Sequence, residues 1–217
     1  MLYIVATPIG NLKDITFRAM EVFETVDLVL CEDTRRTAKL FNHYEIKTPM
    51  LSYHSHSKDN KIDKILSLLK EGKDLALVTD AGTPGISDPG TFLIKRIIEE
   101  LGDSVNIIPI PGCCALATAA SVADFSVDKF IFLGFPPALK KRNKFFEELN
   151  SFSYPVIIYE SPHRIIKTLK DISKVKPSCS IIVCRELTKQ FETIYRGNIN
   201  EVIPKIEEKG EFVVIIK

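Results

Sequence analysis

One stretch constrains this chain more than any other: Val78-Thr79-Asp80-Ala81-Gly82-Thr83-Pro84-Gly85-Ile86-Ser87-Asp88-Pro89-Gly90. An apolar run, Leu75 to Val78, precedes it, and an amphipathic one over residues 92–101 follows. The pattern predicts a strand that leads through a glycine-rich loop into a helix. Glycine, proline and aspartate at this density make a stiff loop whose backbone amides and carbonyls lie open at a strand's carboxyl end. Open α/β sheets take their ligands there. Turn chemistry, with Asp88 as a helix N-cap, explains the composition. It does not explain the length, because a strand-to-helix link needs only about two to six residues.

The first half repeats this alternation. Leu2 to Ala6 reads as a buried strand, followed by the loop Thr7-Pro8-Ile9-Gly10-Asn11-Leu12 and a helix from Asp14 with Ile15, Ala19, Val22 and Phe23 on its apolar face. Strands over residues 28–31, 50–53, 75–78 and 105–109 alternate with helices over 34–43, 62–69 and 92–101. Pro111-Gly112-Cys113-Cys114-Ala115 then opens a small-residue helix reaching residue 122. The order predicts a largely parallel sheet with right-handed crossovers. Three loops, after Ala6, Val78 and Ile110, are then able to converge on one crevice.

The pattern loses its period over residues 123–128, which divides the chain into an N-terminal α/β domain, 1–122, and a C-terminal α/β domain, 123–217. The second half reads as strands over 130–135, 156–159, 180–184, 192–195 and 212–216, with helices over 140–149, 163–175 and 199–208. The link from Cys184 to Glu192 is too short for a helical crossover, so those strands are expected to be antiparallel and the second sheet mixed.

Charge and cysteine content narrow the possibilities. A formal net charge of +1 exerts no global pull on a polyanion, so nucleic acid would need a local basic patch. The five cysteines show no Cys-x-x-Cys spacing, which argues against a disulfide framework or zinc site and for a reducing cytosol. His54 and His56 share a side if extended but have no cysteine or carboxylate partner nearby, and no metal is expected. Pro8 and Gly10 break the first apolar run too early for a signal peptide or membrane span, so a cytoplasmic protein is expected.

Neither a Walker A sequence nor Gly-x-Gly-x-x-Gly follows the first strand. The motifs that do occur are Thr7-Pro8-Ile9-Gly10-Asn11-Leu12, Cys31-Glu32-Asp33-Thr34-Arg35, the Asp80 to Gly90 loop, Tyr159-Glu160-Ser161-Pro162-His163-Arg164 and Arg185-Glu186-Leu187-Thr188-Lys189. In order and spacing the chain resembles the ribosomal-RNA 2′-O-methyltransferase branch of the tetrapyrrole methylase superfamily along essentially its whole length. The resemblance implies two α/β domains with a cofactor cleft between them and a homodimer. It also implies S-adenosyl-L-methionine as cofactor and methylation of a cytidine ribose in the decoding region of small-subunit ribosomal RNA, free or in the assembled subunit.

Carried over by position, the cofactor residues implied are Pro8, Gly10, Asp80, Gly82, Thr83, Pro84, Gly85, Ile86, Ser87, Cys114, Ala115, Leu133, Phe135, Gly210 and Glu211. Two departures stand out. The family's Pro-Gly-Pro is Pro111-Gly112-Cys113 here, which loosens that loop. Many relatives also continue into a small helical C-terminal domain, whereas this sequence ends at Lys217, so RNA affinity is expected to be lower or to rest on the dimer.

A methyl transfer from a sulfonium to a hydroxyl asks the protein mainly to align the reactants and remove a proton. Asp33, Glu160, His163, Glu186 and Lys189 are the candidate bases, and spacing does not separate them. Asp33 also suits an N-cap. For RNA the candidates are Arg35, Arg36, Arg164 and Arg185 together with the run Lys140-Lys141-Arg142-Asn143-Lys144, set against the solvated face that such runs ordinarily make. Two other readings stay open: a tetrapyrrole C-methyltransferase, and a non-catalytic RNA-binding or ribosome-assembly module.

Overall fold

A computed structural model describes residues 1–54, 57, 59–88 and 90–217, so His56 and Pro89 lie outside the described residues. The chain forms two compact units, Met1–Cys114 and Ala115–Lys217. This division falls earlier than the boundary read from the sequence at 122. The small-residue helix, Ala115–Ala120, packs against the last strand of the second sheet and so belongs with it.

In the first unit, strands β1 (Leu2–Val5), β2 (Leu28–Cys31), β3 (Met50–Ser52), β4 (Leu75–Val78) and β5 (Ile107–Ile110) form an all-parallel sheet in the order β3-β2-β4-β1-β5. Helices α1 (Phe17–Thr25), α2 (Thr34–His43), α3 (Asp59–Lys70) and α4 (Gly90–Leu101) connect them. The first two crossovers step toward β3 and the next two step back toward β5. With right-handed connections, that reversal must put the two helix pairs on opposite faces.

The cores agree. Ala19, Val22 and Phe23 of α1 and Leu40 and Phe41 of α2 pack with Val5, Val29, Cys31, Ala76 and Val78. Ile62, Ile65, Leu66 and Leu69 of α3 and Leu93 and Ile97 of α4 pack with Leu2, Leu30, Leu75 and Leu77. Alternate residues of each strand thus feed different cores, as the two-residue period of a strand requires. The first helix begins later than the Asp14 expected from the sequence. A 3-10 turn takes Leu12–Asp14, and Thr16 caps α1 by accepting from the Ala19 N–H at 3.2 Å.

The second unit has α5 (Ala115–Ala120), then β6 (Ile131–Phe132), α6 (Arg142–Glu148), β7 (Val156–Glu160), α7 (Ile165–Val175), β8 (Ser180–Arg185), β9 (Thr193–Asn198), α8 (Ile199–Val202) and β10 (Phe212–Ile216). Its order is β6-β7-β10-β8-β9, parallel only between β6 and β7. The mixed sheet and the antiparallel β8–β9 pair match the sequence expectation. The helix expected over 199–208 is cut short, because Pro204 converts its continuation to a 3-10 turn. The strand expected over 130–135 is regular only at Ile131–Phe132, with backbone hydrogen bonds to β7 continuing through Leu133 and Gly134. Helices α6, α7 and α8 share one core with Ile158, Val183 and Val214.

Candidate functional site

Beside β4, the neighbours β1 and β2 send their crossovers to the opposite face of the sheet. The carboxyl ends of these strands are therefore the topological switch point of the first unit, where the connections part and leave a crevice. The glycine-rich loop leaves β4 at this point. Backbone hydrogen bonds tie it to the loop after β1: the Thr7 N–H donates to the Gly82 carbonyl at 2.9 Å and the Gly82 N–H to the Thr7 carbonyl at 3.0 Å. The Thr83 hydroxyl donates to the Cys113 carbonyl at 3.0 Å, bringing in the loop after β5. The three loops that the sequence placed around one crevice are thus knitted together within this unit. Gly112 is needed there, since a Cβ on it would come within 3.0 Å of the Ala6 Cβ.

The loop is held open by one carboxylate. Asp88 Oδ1 accepts from the Gly85 N–H at 2.7 Å and from the Gly90 N–H at 2.9 Å, capping α4 while fixing the turn. Gly82 and Gly85 take φ of +84° and +89°, and Ser87 takes +66° without the freedom of glycine. Among the described residues, the backbone groups of Ala81, Ile86 and Ser87 make no hydrogen bond, and Ala81 and Ser87 are exposed. Pro8 is half-buried and Gly10 exposed on the adjoining loop.

Asp80 does not join that open surface. Its carboxylate accepts from the Asp33 N–H at 3.1 Å and pairs with Arg36 Nε at 3.3 Å, tying the loop after β2 to the one after β4. A neighbouring recess is lined by Glu32, Tyr53, Leu77, Val78, Thr79, Pro84, Asp88 and Gly90. Glu32 and Tyr53 were missed in the sequence, although each directly follows a strand whose carboxyl end faces the switch point. Glu32 Oε2 accepts from the Thr79 hydroxyl at 3.2 Å, and burial pushes the Tyr53 phenol above its ordinary pKa.

Four of the five candidate bases are engaged, and His163 is exposed in the turn after β7. Asp33 caps α2 and grips Arg35 at 2.7 Å and 3.0 Å; this pair holds its pKa at about 2, which makes it a poor base. Glu160 is sealed at the end of β7, accepting from the Thr168 hydroxyl at 2.6 Å and the Ser161 N–H at 2.7 Å and pairing with Arg164 at 2.7 Å. Lys189 Nζ sits 2.8 Å from Glu186 and 2.9 Å from Glu211. Burial disfavours its charge, but the hydrogen bonds to those two carboxylates outweigh it and raise the lysine pKa. Burial likewise opposes charge on Glu186, and the hydrogen bonds from Lys189 and the Glu211 N–H outweigh it in the other direction, leaving that carboxyl low.

Gly210 belongs to the same cluster in the second unit. It has φ of +86°, and a Cβ there would lie 2.3 Å from Glu186 Cγ. Glu186 and Thr188 carry φ of +53° and +66°, so two residues of one short loop are held in a conformation that side chains resist. Leu133 packs against the core of this unit, and Phe135, half-exposed, meets the Tyr159 ring edge-on at 5.6 Å. Cys114 closes the first unit, and Ala115 opens α5 in the second.

Two of the expected RNA contacts need correction. Arg142 is 5% exposed and bound to Asp171, Thr168 and the Pro137 carbonyl, so it has no edge left for a phosphate. Arg185 is equally buried, held by Glu207 and by the Lys209 and Phe191 carbonyls. A guanidinium next in sequence to lysines reads as one charge run, yet the helix turns it inward. Arg35, Arg36, Lys140 and Lys141 are exposed, Arg36 also pairing with Asp80, and Arg164 is partly exposed and paired with Glu160. Among the described residues no group of three or more His, Cys, Asp or Glu could hold a metal ion, and no helix is long and apolar enough to cross a membrane.

Comparison with known proteins supplies the kinship. Residues 1–203 match the family described as Tetrapyrrole (Corrin/Porphyrin) Methylases. A Thermotoga maritima protein named ribosomal RNA small subunit methyltransferase I is 44% identical over 218 residues, covering 99% of this chain and 97% of the relative. The Halalkalibacterium halodurans protein of the same name is 43% identical, covering all of this chain and 75% of its own length. Among solved structures, a cobalamin biosynthetic enzyme, cobalt precorrin-4 methyltransferase, superposes with a TM-score of 0.70 at 17% identity, over 99% of this chain and 93% of that one. Uroporphyrin-III-C-methyltransferase from Thermus thermophilus superposes with a TM-score of 0.64 at 13% identity, again over 99% and 93%. The likeness to the structures carries the fold, the match to the family reaches from the first strand to the eighth helix, and the chain belongs to the tetrapyrrole methylase family.

Proposed function

We propose that this chain transfers a methyl group from S-adenosylmethionine to a cytidine ribose 2′-hydroxyl of small-subunit ribosomal RNA, in the cytoplasm and as a homodimer. The observation that carries the reading is identity of 42% to 44% across essentially the whole chain with proteins named ribosomal RNA small subunit methyltransferase I. The matched length spans both units and not one of them alone.

The residues present fit the cofactor. Bound there, S-adenosylmethionine would supply an electrophilic methyl on a sulfonium. A sulfonium is stabilised by carbonyl dipoles without a full carboxylate, and the loop from Gly82 to Ser87 offers unpaired backbone groups of that kind, held rigid by Asp88 and the Thr7–Gly82 pair. Gly82, Thr83, Pro84, Gly85, Ile86 and Ser87 are the residues that would hold it in the first unit. In the second, we assign that role to Leu133, Phe135, Gly210 and Glu211. The chain's own contribution is alignment of a hydroxyl with the methyl carbon and exclusion of water. Asp33 and Lys189 are held in their charged forms and Glu160 is sealed. Proton removal therefore falls to none of the three while these pairs stay closed.

The test incubates the protein with methyl-labelled S-adenosylmethionine and, separately, naked ribosomal RNA, assembled small subunits and uroporphyrinogen. Label is expected in the ribosomal RNA, at one nucleotide whose 3′ linkage resists alkaline hydrolysis because its 2′-oxygen is capped. Label in the tetrapyrrole instead would transfer the chain to the other branch of its family. Cofactor binding without transfer to any of the three would favour the assembly-module reading.

A further inference from the structure

The segment between β6 and α6 is built differently from an ordinary surface loop. Two arginines grip the carbonyls of consecutive prolines: Arg164 Nη1 donates to Pro136 O at 3.0 Å and Arg142 Nη1 to Pro137 O at 3.0 Å. Both guanidinium groups are fixed from behind by one continuous chain. Arg164 pairs with Glu160, Glu160 accepts from Thr168, Thr168 accepts from Arg142 Nη2 at 2.8 Å, and Arg142 pairs with Asp171 at 2.9 Å. Relative to apolar packing of the same volume, a buried ionic chain contributes little net stability. What this one accomplishes is to fix two successive peptide carbonyls, and with them the course of residues 136–141.

The fixed segment presents an unusual set of side chains. Leu139 is 83% exposed, and Lys140 and Lys141 beside it are exposed as well. Lys141 takes φ of +66° and makes no side-chain capping bond to α6. Lysines alone are an ordinary solvated face. A leucine held bare between a clamped diproline turn and two lysines is not, because nothing within its own unit covers it.

We propose that residues 137–141 are an RNA-unstacking wedge, in which Leu139 inserts between neighbouring bases beside the nucleotide to be methylated while Lys140 and Lys141 pair with the flanking phosphates. The inference rests on the RNA-methylation reading above. A 2′-hydroxyl lies open in the shallow groove of stacked RNA, but lining it up with a methyl carbon held against a loop at a sheet edge requires its nucleotide to be drawn away from its stacked neighbours, and proteins that open a stack use an apolar side chain as the wedge and cations on the backbone to hold the opened form. Arg142 and Arg164 are positioning residues in this scheme and touch no RNA.

The experiment uses the full chain, methyl-labelled S-adenosylmethionine with small ribosomal subunits, and an RNA fragment with 2-aminopurine beside the methylated nucleotide. Wild type should raise the 2-aminopurine fluorescence on binding. Leu139→Ser should abolish that rise and slow methyl transfer about a hundredfold, the scale set by the cost of unstacking a base step. Its cofactor affinity and melting temperature should match wild type. Leu139→Met should restore both the fluorescence and the rate. Lys140→Ala combined with Lys141→Ala should flatten the salt dependence of RNA binding by about 1.4 logarithmic units, at about 0.7 per phosphate of a single strand. Wild-type transfer and fluorescence in Leu139→Ser would overturn the wedge, as would a wild type that binds the fragment with no fluorescence rise. A wild type that methylates no RNA overturns the functional reading beneath it, a separate outcome.

Discussion

The two units handle polar chemistry in opposite ways. At the carboxyl edge of the first sheet the working surface is backbone: glycines at positive φ, one aspartate bracing the turn, and three loops joined by main-chain and hydroxyl hydrogen bonds. The charged groups nearby, Asp33 with Arg35 and Asp80 with Arg36, pair at the rim. In the second unit the charge goes inside, with Glu160, Thr168 and Arg142 all nearly inaccessible and linked to one another. The difference separates two tasks. A ligand approached by peptide dipoles needs a shaped, neutral surface. A loop that must hold a fixed course against a mobile partner needs side chains that reach it from a rigid helix and strand.

The comparison is most easily broken in the second unit. Arg142→Ala takes the donor from the buried Thr168 hydroxyl and from the Pro137 carbonyl and leaves Asp171 with Lys174 alone, and removing one partner of such a network costs on the order of 3 kcal/mol. Denaturant unfolding should show that loss. A value near that of an exposed pair would mean that water reaches Asp171 and that the chain is not a clamp.

The first unit should respond to shape rather than to charge. Gly85→Val forces a β-branched residue to φ near +89°, which such residues scarcely adopt, so the loop must rearrange. Affinity for S-adenosylmethionine should fall by at least about tenfold, or 1.4 kcal/mol, while the protein stays folded. Calorimetric titration checks this, and retained affinity would move the cofactor away from the loop.

The smallest effect belongs to the rim. Asp33→Asn keeps an oxygen for the Arg35 N–H as an N-cap and loses only an exposed ion pair. Because the pairing lowers the folded pKa of Asp33 from 3.8 to about 2, its contribution is complete above the unfolded value and fades as pH falls toward 2. Melting curves of wild type and variant should differ slightly at pH 7 and coincide near pH 2. A large gap at pH 7, or one that persists in acid, would show that Asp33 does more than cap a helix.

Much of the architecture was legible because it rests on local periodicity. Leu75 to Val78 is apolar at every position because a central parallel strand is covered on both faces, and the short link after Cys184 left an antiparallel return as the available geometry. The three converging loops were legible for the same reason: Gly82, Gly85 and Gly112 sit where the backbone must turn sharply or pass close to another segment. Burial of individual charges was not legible. Lys140, Lys141 and Arg142 are indistinguishable as a run, and only the left-handed turn at Lys141 and the approach of α7 send Arg142 inward to Asp171.

The sequence by itself determined the parallel and mixed sheets, the loop that leaves β4 at the switch point, and the kinship with the tetrapyrrole methylases, because each depends on residue types at fixed spacing along the chain. The tertiary structure alone decided which charges are free. Asp33, Glu160 and Lys189 all had the chemistry of a base, and each proved to be occupied by a partner, in Arg35, in Thr168 with Arg164, and in Glu186 with Glu211. The physical reason is that ionisation and availability depend on what lies within about 4 Å in space: Thr168 and Glu211 arrive from other elements, and Arg35, Arg164 and Glu186, though near in sequence, are brought into reach by the turn the backbone takes there.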